Sequence, residues 1–144
     1  MNSLFKSNKG VETAPFFLVF SAVILVLTAA IVFPAMTNWQ VIMNEGRAVK
    51  ETMKLRNAVN EIHAMCDIGS VELVTLSLPP GYTINVNHDS LTLKDEDYGD
   101  VAKFVLDARV RGVKTIEGNA GITIAFWDEK SPVSAKGKNI LEVY

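Results

Sequence analysis

The chain has 144 residues, a net charge of −2 and 49% hydrophobic residues, which leaves room for one small domain beside any membrane segment. Acids and bases are interspersed, with no basic run and no basic–aromatic stripe, so the charge pattern excludes nucleic acid as an expected partner. A single cysteine, Cys66, excludes an intramolecular disulfide, so a domain outside the cell would stand on its hydrophobic core alone.

Lys6 and Lys9 open the chain, and between Glu12 and Glu45 there is no charged residue. The centre of that stretch, residues 16–33, consists almost entirely of Phe, Leu, Val, Ile and Ala. About 20 such residues in a helix cross ~30 Å of hydrocarbon, so a membrane is the expected first partner. The lysines on the amino-terminal side place that terminus in the cytoplasm and the remainder outside. A removable secretory signal is the competing reading, but its apolar core would be shorter. Phe33 and Met36 also fit a small-x-small cleavage site poorly. Pro15 stands where a helix tolerates a missing N–H, and Pro34 predicts a kink.

Residues 37–66 predict more helix, now amphipathic. Ile42, Val49, Met53, Val59, Ile62 and Cys66 recur at three-or-four spacing, with Gly46 and Arg56 on the same spiral. Glu51 with Leu55 and Glu61 with Met65 fall on other faces. Trp39 sits where an aromatic belt at the lipid–water boundary would lie. Gly69 is the expected helix C-cap.

After Ser70 the period changes to two. Strands are expected over 71–78, 82–87, 90–94, 101–110, 113–117, 121–127 and 139–143. Pro79-Pro80-Gly81, His88-Asp89, Arg111-Gly112 and Gly118-Asn119 supply the turns, and Asp95–Asp100 reads as an acidic loop. Residues 128–138 form the longest loop. The fold class is therefore α+β: a long N-terminal transmembrane helix followed by a small antiparallel β-sandwich-like domain. The divisions are residues 1–10, a leader; 11–69, the helix; and 70–144, a β head.

The segment Lys6-Ser7-Asn8-Lys9-Gly10-Val11-Glu12, followed by the apolar helix, resembles the type III signal region of archaeal pilins and archaellins. More loosely it resembles that of bacterial type IV pilins. The resemblance implies cleavage by a prepilin-type peptidase at Lys9-Gly10-Val11, on the cytoplasmic side, with the helix retained. It implies transfer through an assembly platform into a helical homo-oligomer on the cell surface. Glu12, Phe16, Phe17, Phe20, Leu27 and Phe33 would then serve assembly, and the function would be adhesion or motility. Two departures stand out. Cutting after Gly10 makes Glu12 the second mature residue, where many such pilins carry the acid at the fifth. Val11 replaces the Gln often found first. The rival reading is an uncut single-pass β-domain protein of the envelope, such as a static archaellum component that grips the surface layer.

Catalytic and metal patterns are weak. His63 and Cys66 are spaced for one helix face, but a tetrahedral site needs more ligands and the only other histidine is His88. The Asp95–Asp100 carboxylates lack calcium-loop spacing and read as a solvated loop. Phe126-Trp127 reads as core or subunit contact. No phosphate loop or nucleophile elbow appears, so neither an enzyme nor a cofactor is expected.

Overall fold

The computed structural model describes residues 9–128 and 139–144, with side chains from Pro15 onward. Residues 1–8 of the expected leader, and all but the first residue of the expected 128–138 loop, lie outside the described residues. One helix, α1 (Lys9–Met65), precedes eight strands. They are β1 (Val71–Ser77), β2 (Tyr82–Val86), β3 (Ser90–Asp95), β4 (Gly99–Val105), β5 (Val110–Gly112), β6 (Thr115–Glu117), β7 (Asn119–Phe126) and β8 (Ile140–Val143). The fold is α+β. The chain forms two compact units, residues 1–42 and 43–144.

The first unit is helix. Pro34 lacks an N–H, so the Ala30 carbonyl loses its helical donor, yet the helix continues through it. Thr28 Oγ1 donates to Ile24 O (2.8 Å) and Thr37 Oγ1 donates to Pro34 O (2.9 Å). Both hydroxyls thus carry their own acceptors, which an apolar surrounding requires.

The second unit combines α1 from Met43 onward with two four-stranded sheets, in the orders β1-β7-β8-β5 and β4-β3-β2-β6. One core joins Leu55, Val59 and Ile62 of the helix with Leu76, Ile122, Ile124 and Leu141 of the first sheet and Ile84, Leu91 and Leu93 of the second. The helix also covers a sheet edge on each flank. Lys54 Nζ donates to Thr75 O on β1 (2.6 Å), and Arg56 Nε donates to Val105 O at the end of β4 (3.0 Å). Glu51 accepts from Ser77 N (3.2 Å). Unpaired edge groups, which otherwise template aggregation, are satisfied in this way.

Several sequence expectations are corrected. The buried helix residues are Ala48, Thr52, Leu55, Ala58, Val59 and Ile62. Ile42 and Met53 are exposed, and Leu55, expected on another face, is fully buried. Small Ala48 and Thr52 side chains belong on the tightest face, and Thr52 Oγ1 donates to Ala48 O (2.8 Å), so its burial leaves no open donor. The 101–110 strand is two strands, because the chain passes from the second sheet to the first between them. Leu106 N donates to Asp89 O (2.9 Å) there, and Asn60 of the helix pins the corner by bonding Asp107 twice (2.8 and 3.1 Å). The sheets are not wholly antiparallel: β7 and β8 pair in parallel. Gly69 does not cap the helix, which ends at Met65. It occupies the third position of an Asp67–Ser70 turn, with φ 96° and a Ser70 N to Asp67 O bond of 3.0 Å. The acidic loop is a tight hairpin turn at 96–98 between β3 and β4.

Candidate functional site

From Pro15 to Ile42 every side chain is exposed except the half-buried Ala29. A segment of this helix is long and apolar enough to cross a membrane. The expected assembly residues lie here. Phe16 is 69% exposed and Phe33 70%, and Phe17, Phe20 and Leu27 are likewise exposed. Phe16 and Phe20 stack with ring centroids 6.3 Å apart, and Phe17 meets Phe16 edge-on at 6.5 Å. Helical spacing puts Phe16, Phe20 and Leu27 on one stripe, with Phe17 and Phe33 on other faces. The segment is therefore apolar all round, which is the pattern of a helix surrounded on every side. Phe16 to Trp39 spans about 35 Å along the helix, close to the hydrocarbon thickness. Lys9, Gly10, Val11 and Glu12 form the first turns of α1. Around Pro34 a shallow recess of about 390 Å³ is lined by Ile31, Val32, Ala35, Met36, Trp39 and Gln40.

In the second unit, a groove of about 930 Å³ runs between α1 and β1, bordered by Gly46, Val49, Lys50, Met53, Glu72 and Leu73. Met53 is 42% exposed and Leu73 68%. The exposed face of the amphipathic helix thus supplies one wall, and the outward residues of an edge strand supply the other.

The acidic turn is held from within. Asp95 accepts from Asp97 N (2.8 Å), from Tyr98 N (3.1 Å) and from the Tyr82 hydroxyl. The backbone bond from Asp97 leads in holding the Asp95 carboxyl below its usual range. Burial first, and the Asp95 carboxylate second, push the Tyr82 hydroxyl up to about 12. Lys94 pairs with Asp100 at 3.2 Å. Among the described residues no group of three or more His, Cys, Asp or Glu side chains is placed to hold a metal ion. His63 instead sets its ring edge-on against Phe126 (5.8 Å), and Cys66 is exposed just past the helix.

One polar cluster escaped the sequence reading. Glu142, buried in β8, pairs with Arg111 of β5, and the Arg111 guanidinium lies 5.1 Å from the Tyr144 ring centroid. The hydrogen bond to Glu142 leads in raising the Arg111 pKa. Cross-strand pairing of Arg111 with Glu142 sets this up, and no sequence motif announces a pairing between strands so far apart in the chain. The cluster is a structural tie between two strands, with a paired acid and base.

No family model, no curated protein and no solved structure matches this chain.

Proposed function

We propose that this protein is a structural subunit of a pilus-like extracellular filament, held in the membrane before assembly and packed through its N-terminal helix afterwards. The observation that carries the reading is the all-round apolar surface of residues 15–42, which finds no cover within its own unit. Such a surface is stable in lipid or among like helices. At roughly 2 kcal/mol for each large apolar side chain, sheltering it contributes on the order of 30 kcal/mol per chain as an upper bound. Leaving lipid for water is thus feasible only when other copies replace the lipid. Ala22, Ala29 and Ala30 allow close helix approach. The Lys9-Gly10 junction ahead of the span supports removal of a leader by a prepilin-type peptidase, followed by delivery to an assembly platform. Glu12 would then pair with the Val11 amine freed in a neighbouring copy.

The second reading is an uncut envelope anchor whose β domain grips the surface layer. The position of Glu12, second after a cut at Gly10, favours it. Intact mass of the protein from cells separates the two. A mature chain starting at Val11, recovered in sheared filaments, is the expected result. A full-length chain confined to the membrane fraction would reject the filament. Glu12→Lys is expected to reduce filament yield at unchanged protein level, and normal yield would remove Glu12 from the assembly role.

A further inference from the structure

We propose that the groove between α1 and β1 receives the Glu96-Asp97-Tyr98 turn of a second copy of this chain. The contact rests on the filament reading and names the head surfaces that would meet along it. The groove floor is apolar, from Val49, Met53 and Leu73, and Gly46 leaves one end open. Its charge is divided. Lys50 and Lys54, both exposed, follow one another at helical spacing along the helix wall, while Glu61 and Glu72 stand at the other end. Lys54 also donates to Thr75 O, which holds its cation at the wall.

The turn is complementary to the basic end. Tyr98 is 82% exposed, the highest value for any large apolar or aromatic side chain in the described residues, and Glu96 and Asp97 before it are exposed. A tyrosine buries roughly 150–250 Å² when covered and is among the residue types that anchor interfaces. Seating its ring on Met53 and Leu73 brings the two carboxylates to the Lys50 end and keeps them from Glu61 and Glu72. The groove lies on the β1 flank of the helix, where Lys54 reaches Thr75. The turn leads into β4, on the flank where Arg56 reaches Val105. No residue of the turn lines the groove of its own chain. The two surfaces differ, so the contact is head-to-tail, the kind that extends into an open helical array.

The test uses cysteine pairs in cells that make the full chain. In a Cys66→Ser background, Gly46→Cys with Glu96→Cys, which leaves Met53, Leu73 and Tyr98 in place, is oxidised mildly, and surface filaments are sheared off and run without reductant. A ladder at multiples of the chain mass is expected, and neither substitution alone should give one. Adding Lys50→Glu should cut the ladder roughly tenfold, and adding Asp97→Lys to that chain should restore it. Filaments without a ladder, a ladder indifferent to Lys50→Glu, or a cross-link from the Gly46→Cys thiol to a different protein would each overturn the contact while leaving the filament reading standing. A ladder in membranes of cells that make no filament would keep the contact and reject the filament. Neither ladder nor filament would reject both. All the replaced positions are exposed, so loss of folding is not the expected cause of a negative result.

Discussion

Gly112 is the position with the least freedom in the head. Its φ is 119°, and a Cβ there would stand 2.3 Å from the Ile140 carbonyl oxygen across the β5–β8 pair. Gly112→Ala is expected to lower stability by at least ~2 kcal/mol, from backbone strain and the clash together. Gly46, inside the helix with open space around it, should respond the other way. Gly46→Ala is expected to add ~0.5–1 kcal/mol, and denaturant midpoints of the two variants in detergent solution decide both signs. The burial of Tyr82 beside Asp95 gives a pH signature. Because the folded state raises Tyr82 from 10.0 to about 12, it holds that proton more tightly than the unfolded chain. The stabilisation is complete below pH ~10 and is lost as pH rises toward ~12. Asp95 acts oppositely: its lowered pKa stabilises above the usual carboxylate range and the effect is lost on acidification through it. Tyr82→Phe should remove the alkaline slope in thermal melts followed across that window. A slope unchanged by the substitution would assign it to other groups.

At the scale of elements, the helix face is the sharpest test. Leu55→Ala is expected to cost ~2–5 kcal/mol, because Leu55 is fully buried between both sheets. Met53→Ala, two residues earlier and exposed, should change stability by no more than ~0.5 kcal/mol. Apolar spacing alone predicts the reverse weighting, since it ranks methionine above alanine and threonine as core. A pattern of apolar letters does not register that close packing on a sheet edge favours small side chains. Periodicity served well elsewhere. β1, β2 and β3 fall within a residue or two of the alternating runs that suggested them, and the α+β class follows from the change of period after Ser70. What stayed hidden was long-range. The break between β4 and β5 depends on a corner pinned by Asn60, and the Arg111–Glu142 tie depends on which strands become neighbours. The exposed helix, by contrast, was readable from the absence of charge alone. The groove was not, because its two walls come from separate elements.

For the whole molecule, two kinds of cohesion should respond differently to solvent. Helices apolar on every face associate by dispersion and exclusion of water, which salt does not weaken. The proposed contacts between Lys50 and the acidic turn would be exposed and screened, with a Debye length of ~3 Å at 1 M salt. Filaments are therefore expected to survive ~1 M sodium chloride and to dissolve in detergent, while the cysteine ladder forms less when the oxidation is carried out in that salt. Electron microscopy and non-reducing gels read these separately, and filaments dispersed by salt alone would place their cohesion in the heads. The parallel pairing of β7 with β8 has a consequence for how the head is made. β8 lies between β7 and β5, so the first sheet is completed by the strand that is synthesised last of the eight. Until it emerges, β1-β7 and the short β5 have no partner to join them, and the core lacks Leu141 and Val143. A chain from which β8 has yet to emerge thus has no finished first sheet, and the arrival of that strand locks the head shut.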